Sequence, residues 1–368
     1  MAAFTGTLRS NEIFAGLFNM IISQQVYSDN ISGTFSELVD MARVDGTLYG
    51  DTKLYYATDI LSSHPWGADA EASNLLALKR PAAPKTQAIT LDTFRQIDIT
   101  VDNYLSKRAW GTEGAFSQFN SVVLGWVRET KKVYDATTYN AYIGTAQTAV
   151  GKQAVSVNLT AATEGLAGEE KARVRAAKIG EDLSNLLVNM RKPCRDYNDY
   201  GFYRSYNTND LVFVWNATYI SEIQKRDLPT TFHKDFIDKL GEHILPADYF
   251  GTVNGVGVTK SNGTTIRSLI EQDVEDGDSN TYHLFAGDII PTNVTLVSGG
   301  SIVYPSYTQD DKVICKIYKK GAVPYMSAFE VGTSFFNPKS LTENHYLTWG
   351  HNTLEYLKNY PFITVKEV

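Results

Sequence analysis

Residues 112–145 most constrain what this chain can fold into, because they predict one unusually long helix. Thr112 and Glu113 form an acceptable start signal, and Gly144 a stop signal. The apolar residues between them fall mainly on one helical stripe: Phe116, Phe119, Val123, Trp126, Val127, Val133, Tyr134, Tyr139, Tyr142 and Ile143. Such a helix is about 50 Å long, whereas a compact chain of 368 residues has a radius of gyration of only about 21 Å. The sequence therefore predicts an elongated or flattened subunit.

A long excursion over residues 33–100 is the second constraint. The run around Tyr55 is strand-like, and residues 89–101 alternate apolar and polar side chains as a strand does. Between them, residues 62–85 are rich in small residues and proline. A two-stranded ribbon is marginal alone, and a connection this long is usually functional or bound to a partner. We therefore expect the excursion to contact another subunit.

The rest of the chain predicts helices and strands in mixed order, without internal repeats. Further helices are predicted near residues 11–22, 168–190, 217–225 and from Thr230 or Thr231 to about Pro246. Further strands are predicted at 155–159, 211–215, 294–304, 313–318, 323–331, 345–349 and 362–365, with a loop or hairpin at 251–265. This mixture favours an α+β fold over a doubly wound parallel sheet.

Composition argues against a protein that reads nucleic acid. The 34 basic and 41 acidic residues give a net charge of −7, whereas such proteins normally carry a basic surplus. A wall that merely encloses nucleic acid is compatible with this charge. The 22 tyrosines suit large protein interfaces, although a tyrosine-rich core explains them equally well.

Cys194 and Cys315 lack metal-ligand spacing, and we interpret them as reduced thiols.

The sequence contains no convincing catalytic or nucleotide-binding motif. The phosphate loop, the nucleophile elbow and the zinc-protease motif are all missing. Gly255 and Gly257 form half of a dinucleotide fingerprint, but its third glycine is missing. His345 and His351 lie near each other, yet the neighbouring residues supply no further metal ligands. We predict that the chain is not an enzyme and has no catalytic, cofactor-binding or metal-binding residues.

Two charged patterns have plain structural interpretations. An acidic run comprises Asp273, Glu275, Asp276 and Asp278. It departs from a calcium loop because Gly277 falls one position early and no glutamate follows where one is required. It therefore predicts a solvated acidic turn. The lysine pairs at 131–132 and 319–320 predict exposed or turn residues.

The order of elements resembles the major capsid proteins of tailed bacteriophages, which have the Hong Kong ninety-seven type capsid fold. A helical arm, a long β excursion, an alternating strand and one very long helix precede a mixed domain and terminal strands. One segment of this chain also resembles a passage in some of these proteins, in which a buried strand leads to a helix and then to a phenylalanine-rich segment. The segment reads Leu211-Val-Phe-Val-Trp-Asn-Ala-Thr-Tyr-Ile-Ser-Glu-Ile and is followed by Phe232-His-Lys-Asp.

The resemblance implies an α+β phage major capsid fold. Its parts would be an N-terminal arm at 1–32, an extended loop with its β-strands at 33–100, a peripheral domain at 101–194 with a spine helix at 112–145, an axial domain at 195–335, and C-terminal strands at 336–368 that return to the peripheral domain. The implied function is self-assembly into hexamers and pentamers of an icosahedral shell, which encloses the double-stranded DNA genome of a tailed phage.

The resemblance also implies partners and a location. The partners would be copies of the chain itself, a portal and decoration proteins. Because no long charged segment precedes the arm, the resemblance implies a separate scaffolding protein or none, and we expect a separate one. The location would be the virion capsid, assembled in the host cytoplasm, without sequence-specific DNA binding or a membrane. Two alternatives stay open: an encapsulin-type nanocompartment shell, and a phage tail or adhesin β protein, against which the long helix argues.

Overall fold

The computed structural model describes much of the chain in several ranges. These are residues 35–45, 50–63, 65, 78, 80–102, 113–148, 150–224, 240–255, 258–259, 263–294, 301–302 and 304–368. The predicted helix near residues 11–22 and most of the one predicted from Thr230 or Thr231 lie outside the described residues.

Helices and strands alternate in mixed order along the described chain. The helices are α1 (Glu37–Ala42), α2 (Glu113–Thr145), α3 (Leu159–Ala162), α4 (Gly168–Arg191) and α5 (Ala217–Gln224), with short 3₁₀ turns at Thr208–Asp210 and Ala247–Tyr249. The strands are β1 (Arg43–Asp45), β2 (Thr52–Ala57), β3 (Lys85–Asp102), β4 (Ala154–Val157), β5 (Leu211–Asn216), β6 (His243–Leu245), β7 (Gly251–Val253), β8 (Val258–Thr259), β9 (Ile266–Ser268), β10 (Gln272–Glu275), β11 (Thr281–Leu284), β12 (Ser301–Ile302), β13 (Ser306–Gln309), β14 (Val313–Lys319), β15 (Tyr325–Asn337), β16 (Thr342–Asn352) and β17 (Phe362–Glu367).

Helix α2 confirms the long helix predicted from the sequence, with 33 residues. Tyr139 and Ile143 in its C-terminal half are buried in a core that also contains Leu38 and Val39 of α1. The side-chain amide of Asn140 donates to the carbonyl of Phe35 at 3.0 Å, which fixes the start of α1. Helix α1 is not predicted from the sequence, because so short a helix shows too little periodicity to distinguish it from a loop.

The first five-stranded sheet has the order β1-β15-β16-β3-β2. The predicted excursion is confirmed as an antiparallel pair of β2 and β3, from Thr52 opposite Thr90 to Ala57 opposite Lys85. It is not an isolated ribbon, because β3 continues beyond β2 and pairs with β16 over residues 91–102. Strands β15 and β16 form a long hairpin that completes this sheet.

The second five-stranded sheet, in the order β4-β17-β14-β5-β6, forms the core of the molecule. Strand β5 is buried along its whole length, as its continuous apolar run predicts. Phe213 and Trp215 pack against α4 on one face, and Val212 and Val214 pack against Tyr139 of α2 on the other. The sheet takes strands from three of the predicted regions, so the division into peripheral and axial domains stays a prediction.

Three small sheets lie between β6 and β14. They pair β13 with both β7 and β9, β10 with β11, and β12 with β8. Of the loop or hairpin predicted at 251–265, the described strands β7 and β8 pair with strands from later in the chain and not with each other. Of the strand predicted at 294–304, residues 294, 301–302 and 304 are described, and among them Ser301–Ile302 form a strand.

Candidate assembly surface

The two histidines considered as metal ligands have separate structural roles. His351 is buried, its Nδ1 donates to the carbonyl of Asn352 at 2.8 Å, and its Nε2 accepts from the hydroxyl of Tyr134 at 2.7 Å. Burial lowers the pKa of His351, in agreement with a neutral ring. His345 lies 4.0 Å from a carboxylate oxygen of Glu343 on the same strand. Among the described residues, no group of histidine, cysteine or acidic side chains could hold a metal ion.

The prediction of a solvated acidic turn is wrong for its central residue. Asp276 is buried, with 5% of its surface exposed. Its carboxylate accepts from the side chain and backbone of Asn280, the hydroxyl of Tyr282, the backbone N–H of Asp278 and the amide of Asn293. The hydrogen bonds from Asn280 contribute most to lowering the pKa of Asp276 to about 2. The carboxylate therefore organises the β10–β11 hairpin.

For the lysine pair at 131–132, the prediction of exposed residues is wrong for Lys131. Lys131 is buried, although its pattern predicted an exposed residue. Lys320 does lie in a turn, closed by Gly321 with a φ of 76°. Gly255 lies in the loop after β7, and its partner in the half-fingerprint lies outside the described residues.

A buried polar network, which was not predicted from the sequence, is centred on Asp135 of α2. Its carboxylate accepts from Arg43 at 3.1 Å, from Lys131 at 3.1 Å and from the hydroxyl of Tyr325 at 2.7 Å. Lys131 also lies 3.5 Å from Glu330. Because these partners belong to β1, α2 and β15, the network fixes the first sheet to the long helix. The spacing of Lys131 and Asp135 on one helix face was the only signal in the sequence.

The network continues into the core by aromatic contacts. The ring of Tyr325 stacks on His351 with centroids 5.3 Å apart. Burial raises the pKa of Tyr325, so its hydroxyl stays a proton donor to Asp135. Every charged member has a compensating partner, which is the arrangement of a structural network.

The thiols of Cys194 and Cys315 are both free, and burial raises the pKa of Cys315.

Exposed apolar side chains collect on the first sheet. On β15 they are Val331, Phe335 and Phe336, with 42%, 64% and 55% of their surface exposed. On β2 they are Leu54 and Tyr56, with 54% and 65% exposed. Exposed apolar side chains of this kind are candidates for protein–protein contact. We name the two groups the β15 edge (residues 331–337) and the β2 edge (residues 52–57).

Two recesses lie beside helix α2. One of about 250 Å³ separates Val127 and Arg128 from Gly332 and Leu347 of the β15–β16 hairpin. The other, of about 450 Å³, is lined by Thr138 and His351 among others. The hydroxyl of Thr138 is buried without a hydrogen-bond partner.

Among the described residues, no helix combines the length and apolar character needed to cross a bilayer.

The fold is similar to that of phage capsid proteins. A chain in the capsid structure of Staphylococcus phage Andhra is 14% identical, with 94% of this chain and 87% of that chain covered at a TM-score of 0.58. A chain in the structure of the head fiber and inner core protein gp22 of native bacteriophage P68 is 11% identical, with 88% and 83% covered at a TM-score of 0.58.

These similarities confirm the predicted α+β phage capsid fold. No curated protein sequence matches the chain. A family model described as Phi29-like phage major capsid protein matches residues 7–364. The match includes both five-stranded sheets and helix α2. It favours a phage major capsid protein over the nanocompartment and adhesin alternatives. The chain therefore belongs to the Phi29-like phage major capsid protein family.

Proposed function

We propose that this phage major capsid protein forms hexamers and pentamers, which close an icosahedral shell around the double-stranded DNA of a tailed phage. The observation that carries the proposal is the family match over residues 7–364. Head-to-tail contacts between identical subunits close into rings of this kind. The role is structural, and burial of complementary surfaces supplies the free energy of assembly.

The predicted regions have distinct roles in this proposal. The arm at 1–32 and the extended loop at 33–100 reach neighbouring subunits, while the axial domain at 195–335 meets its copies at the ring centre. Helix α2 is the spine of the peripheral domain at 101–194, to which the strands of 336–368 return. Exposed apolar residues in the extended loop support a covering neighbour: Leu54, Tyr56, Ile60 and Leu61, between 54% and 76% exposed.

The charge of the subunit suits a container that does not bind DNA specifically. A net charge of −7 opposes adsorption to phosphates, and packaging and release of a genome require weak contacts with the wall. A separate scaffolding protein, a portal and decoration proteins complete the proposed assembly. The shell forms in the host cytoplasm and becomes the virion capsid.

Electron microscopy of the purified chain tests the proposal directly. The chain is expressed alone and together with the scaffolding protein of the same genome. We expect closed shells of uniform diameter, with rings of five and six subunits in averaged images. A chain that stays monomeric at high concentration with its scaffolding protein contradicts the proposal.

A loop replacement tests the role of the excursion. A short Gly-Ser linker replaces residues 62–83, which keeps the bond of Asp59 to the backbone N–H of Tyr203 and leaves Lys85 to begin β3. We expect unchanged circular dichroism and thermal unfolding but no normal shells. Glu164→Ser, in the exposed turn after α3, is the control and should assemble normally. Normal shells from the linker variant would contradict the role of the loop, although not the capsid function.

A further inference from the structure

Strand β15 has a long edge to which the described part of the chain supplies no partner. Strand β1 pairs with it only from Tyr325 to Ser327. Beyond Ser327, within the described part of the chain, β15 has a hydrogen-bonding neighbour on the β16 side alone. No described strand takes up its outward N–H and C=O groups, and an edge of this kind is a template for pairing.

The sequence of the β15 edge does not protect it from pairing. Natural edges are usually blunted by lysine, proline or a bulge. Residues 331–337 read Val-Gly-Thr-Ser-Phe-Phe-Asn, with none of these residue types. The bulge of this strand lies earlier, between Ala328 and Glu330. Exposed Phe335 and Phe336 add apolar surface beside the free backbone groups.

We propose that the β15 edge of one subunit pairs antiparallel with the β15 edge of a second copy, across a two-fold axis at Ser334. This contact rests on the proposed function and names one interface of the shell. In this register Phe336 lies opposite the partner's Gly332, and Phe335 lies opposite the partner's Thr333. An aromatic side chain across from a glycine covers its bare backbone and stabilises the pair.

Charges at both ends of the edge favour the antiparallel direction. Glu330, whose side chain is 49% exposed, precedes the uncharged run, and Lys339 follows it in the hairpin turn. Antiparallel pairing brings Glu330 close to the partner's Lys339 at each end. Parallel pairing in register would place glutamate beside glutamate and lysine beside lysine, which is repulsive.

The pairing also keeps the wall one layer thick. Gly332 and Ser334 face Val127 of helix α2 across the 250 Å³ recess. Directly opposed residues of an antiparallel pair point to the same face of the sheet. The α2 helices of both copies therefore lie on one side of a continuous sheet, which is the arrangement that a single-layered shell requires.

Disulfide trapping tests the register with a single substitution. Ser334→Cys, made with Cys194→Ser, places two thiols across the axis, where opposed Cβ atoms lie about 4.5–5.5 Å apart, close enough for a disulfide after small adjustment. We expect most subunits of oxidised shells to migrate as covalent dimers on non-reducing gels. The control Thr348→Cys lies on β16, one strand in from the edge, and should give none.

The outcomes separate this contact from the proposed function. Shells that assemble but give no dimer from Ser334→Cys overturn the β15 pairing and leave the capsid function standing. Failure of the unsubstituted chain to form shells with its scaffolding protein contradicts the capsid function itself.

A charge exchange gives a second, independent test. Ser334→Lys or Ser334→Glu alone places like charges across the axis, and each should reduce the yield of shells at least several-fold. An equimolar mixture of the two variants places opposite charges there and should restore the yield. Because Ser334 is exposed, circular dichroism should show that both subunits fold normally. Single variants that assemble like the unsubstituted chain overturn the proposal.

Discussion

Lys316 is a fully buried lysine in the middle of strand β14. Its Nζ donates to the carbonyl of Ala146 at 2.7 Å and to the hydroxyl of Thr364 at 2.9 Å. Burial, assisted by the positive charge of Lys366, lowers its pKa to about 7 from an ordinary value of 10.5. Between these two pH values the unfolded chain binds more protons than the folded chain, so this lysine makes stability rise with pH.

Replacing this lysine should remove that dependence. From pH 7 to pH 9, we expect the free energy of unfolding of the unsubstituted subunit to rise by about 2 kcal/mol relative to Lys316→Met. Urea unfolding of the unassembled subunit at both pH values measures the difference. Lys192→Met, at an exposed position after α4, should follow the unsubstituted chain. Equal pH dependence in the Lys316→Met variant would show that the buried amine does not titrate in this range.

Asp135 offers a matched comparison of a buried and an exposed ion pair, because Arg43 contacts both Asp135 and Asp40. The side chains of Asp135 and Asp40 are 1% and 57% exposed. Asp135→Asn should destabilise the subunit by roughly 3 to 5 kcal/mol, because it leaves Lys131 buried without its closest counter-charge. Asp40→Asn should cost less than about 1 kcal/mol. Denaturant unfolding measures both, and similar losses would contradict the buried network.

These positions also show where sequence reasoning fails at the residue scale. Lysine and aspartate are normally exposed, so Lys131 and Asp276 were predicted at the surface. Lys131 is buried because Asp135 and Glu330 pair with it, and Asp276 is buried because its own hairpin folds hydrogen-bond donors onto its carboxylate. Tyr325 lies 190 residues from Asp135, and no local pattern indicates a partner at that separation.

At the scale of elements, two glycines of α2 should respond oppositely to alanine. A Cβ at Gly144 would overlap the main-chain oxygen of Tyr249, whereas a Cβ at Gly125 meets nothing within 4 Å. Gly144→Ala should therefore destabilise the subunit by at least about 1–3 kcal/mol through overpacking. Gly125→Ala should stabilise it by about 0.5–1 kcal/mol, because alanine favours the helix. Thermal unfolding measures both, and a neutral Gly144→Ala would show that the 3₁₀ turn at Tyr249 can move.

Elements were predicted well where apolar side chains are buried and less well where they are exposed. Helix α4 and strand β5 match their predicted ranges closely, because burial gives α4 an apolar stripe of helical period and gives β5 a continuous apolar run. The strand predicted at 323–331 extends to Asn337, and the one predicted at 345–349 spans Thr342–Asn352. The added part of β15 is exposed on both faces, so its sequence shows no alternation.

At the scale of the whole molecule, the charge leads to a prediction about DNA. With a net charge of −7, the subunit should not retard double-stranded DNA in a gel at physiological salt. Nonspecific DNA-binding proteins do so with a Kd of roughly 10⁻⁴ to 10⁻⁶ M. The same chain with a C-terminal hexalysine extension is the positive control. Retardation by the unmodified chain that weakens with added salt would identify a basic face and contradict a passive wall.

The sequence by itself determined the long helix, the hairpin of β2 and β3, the buried strand β5 and, through their order, the capsid family. These features depend on local periodicity and on the order of the elements, and both can be determined from neighbouring residues in the sequence. Only the tertiary structure decided that β3 joins the β15–β16 hairpin, that Asp135 and Lys316 are buried, and that the β15 edge lacks a neighbour in the described part of the subunit. Strand pairing and the burial of charge depend on groups far apart in sequence, so they are settled when the chain packs.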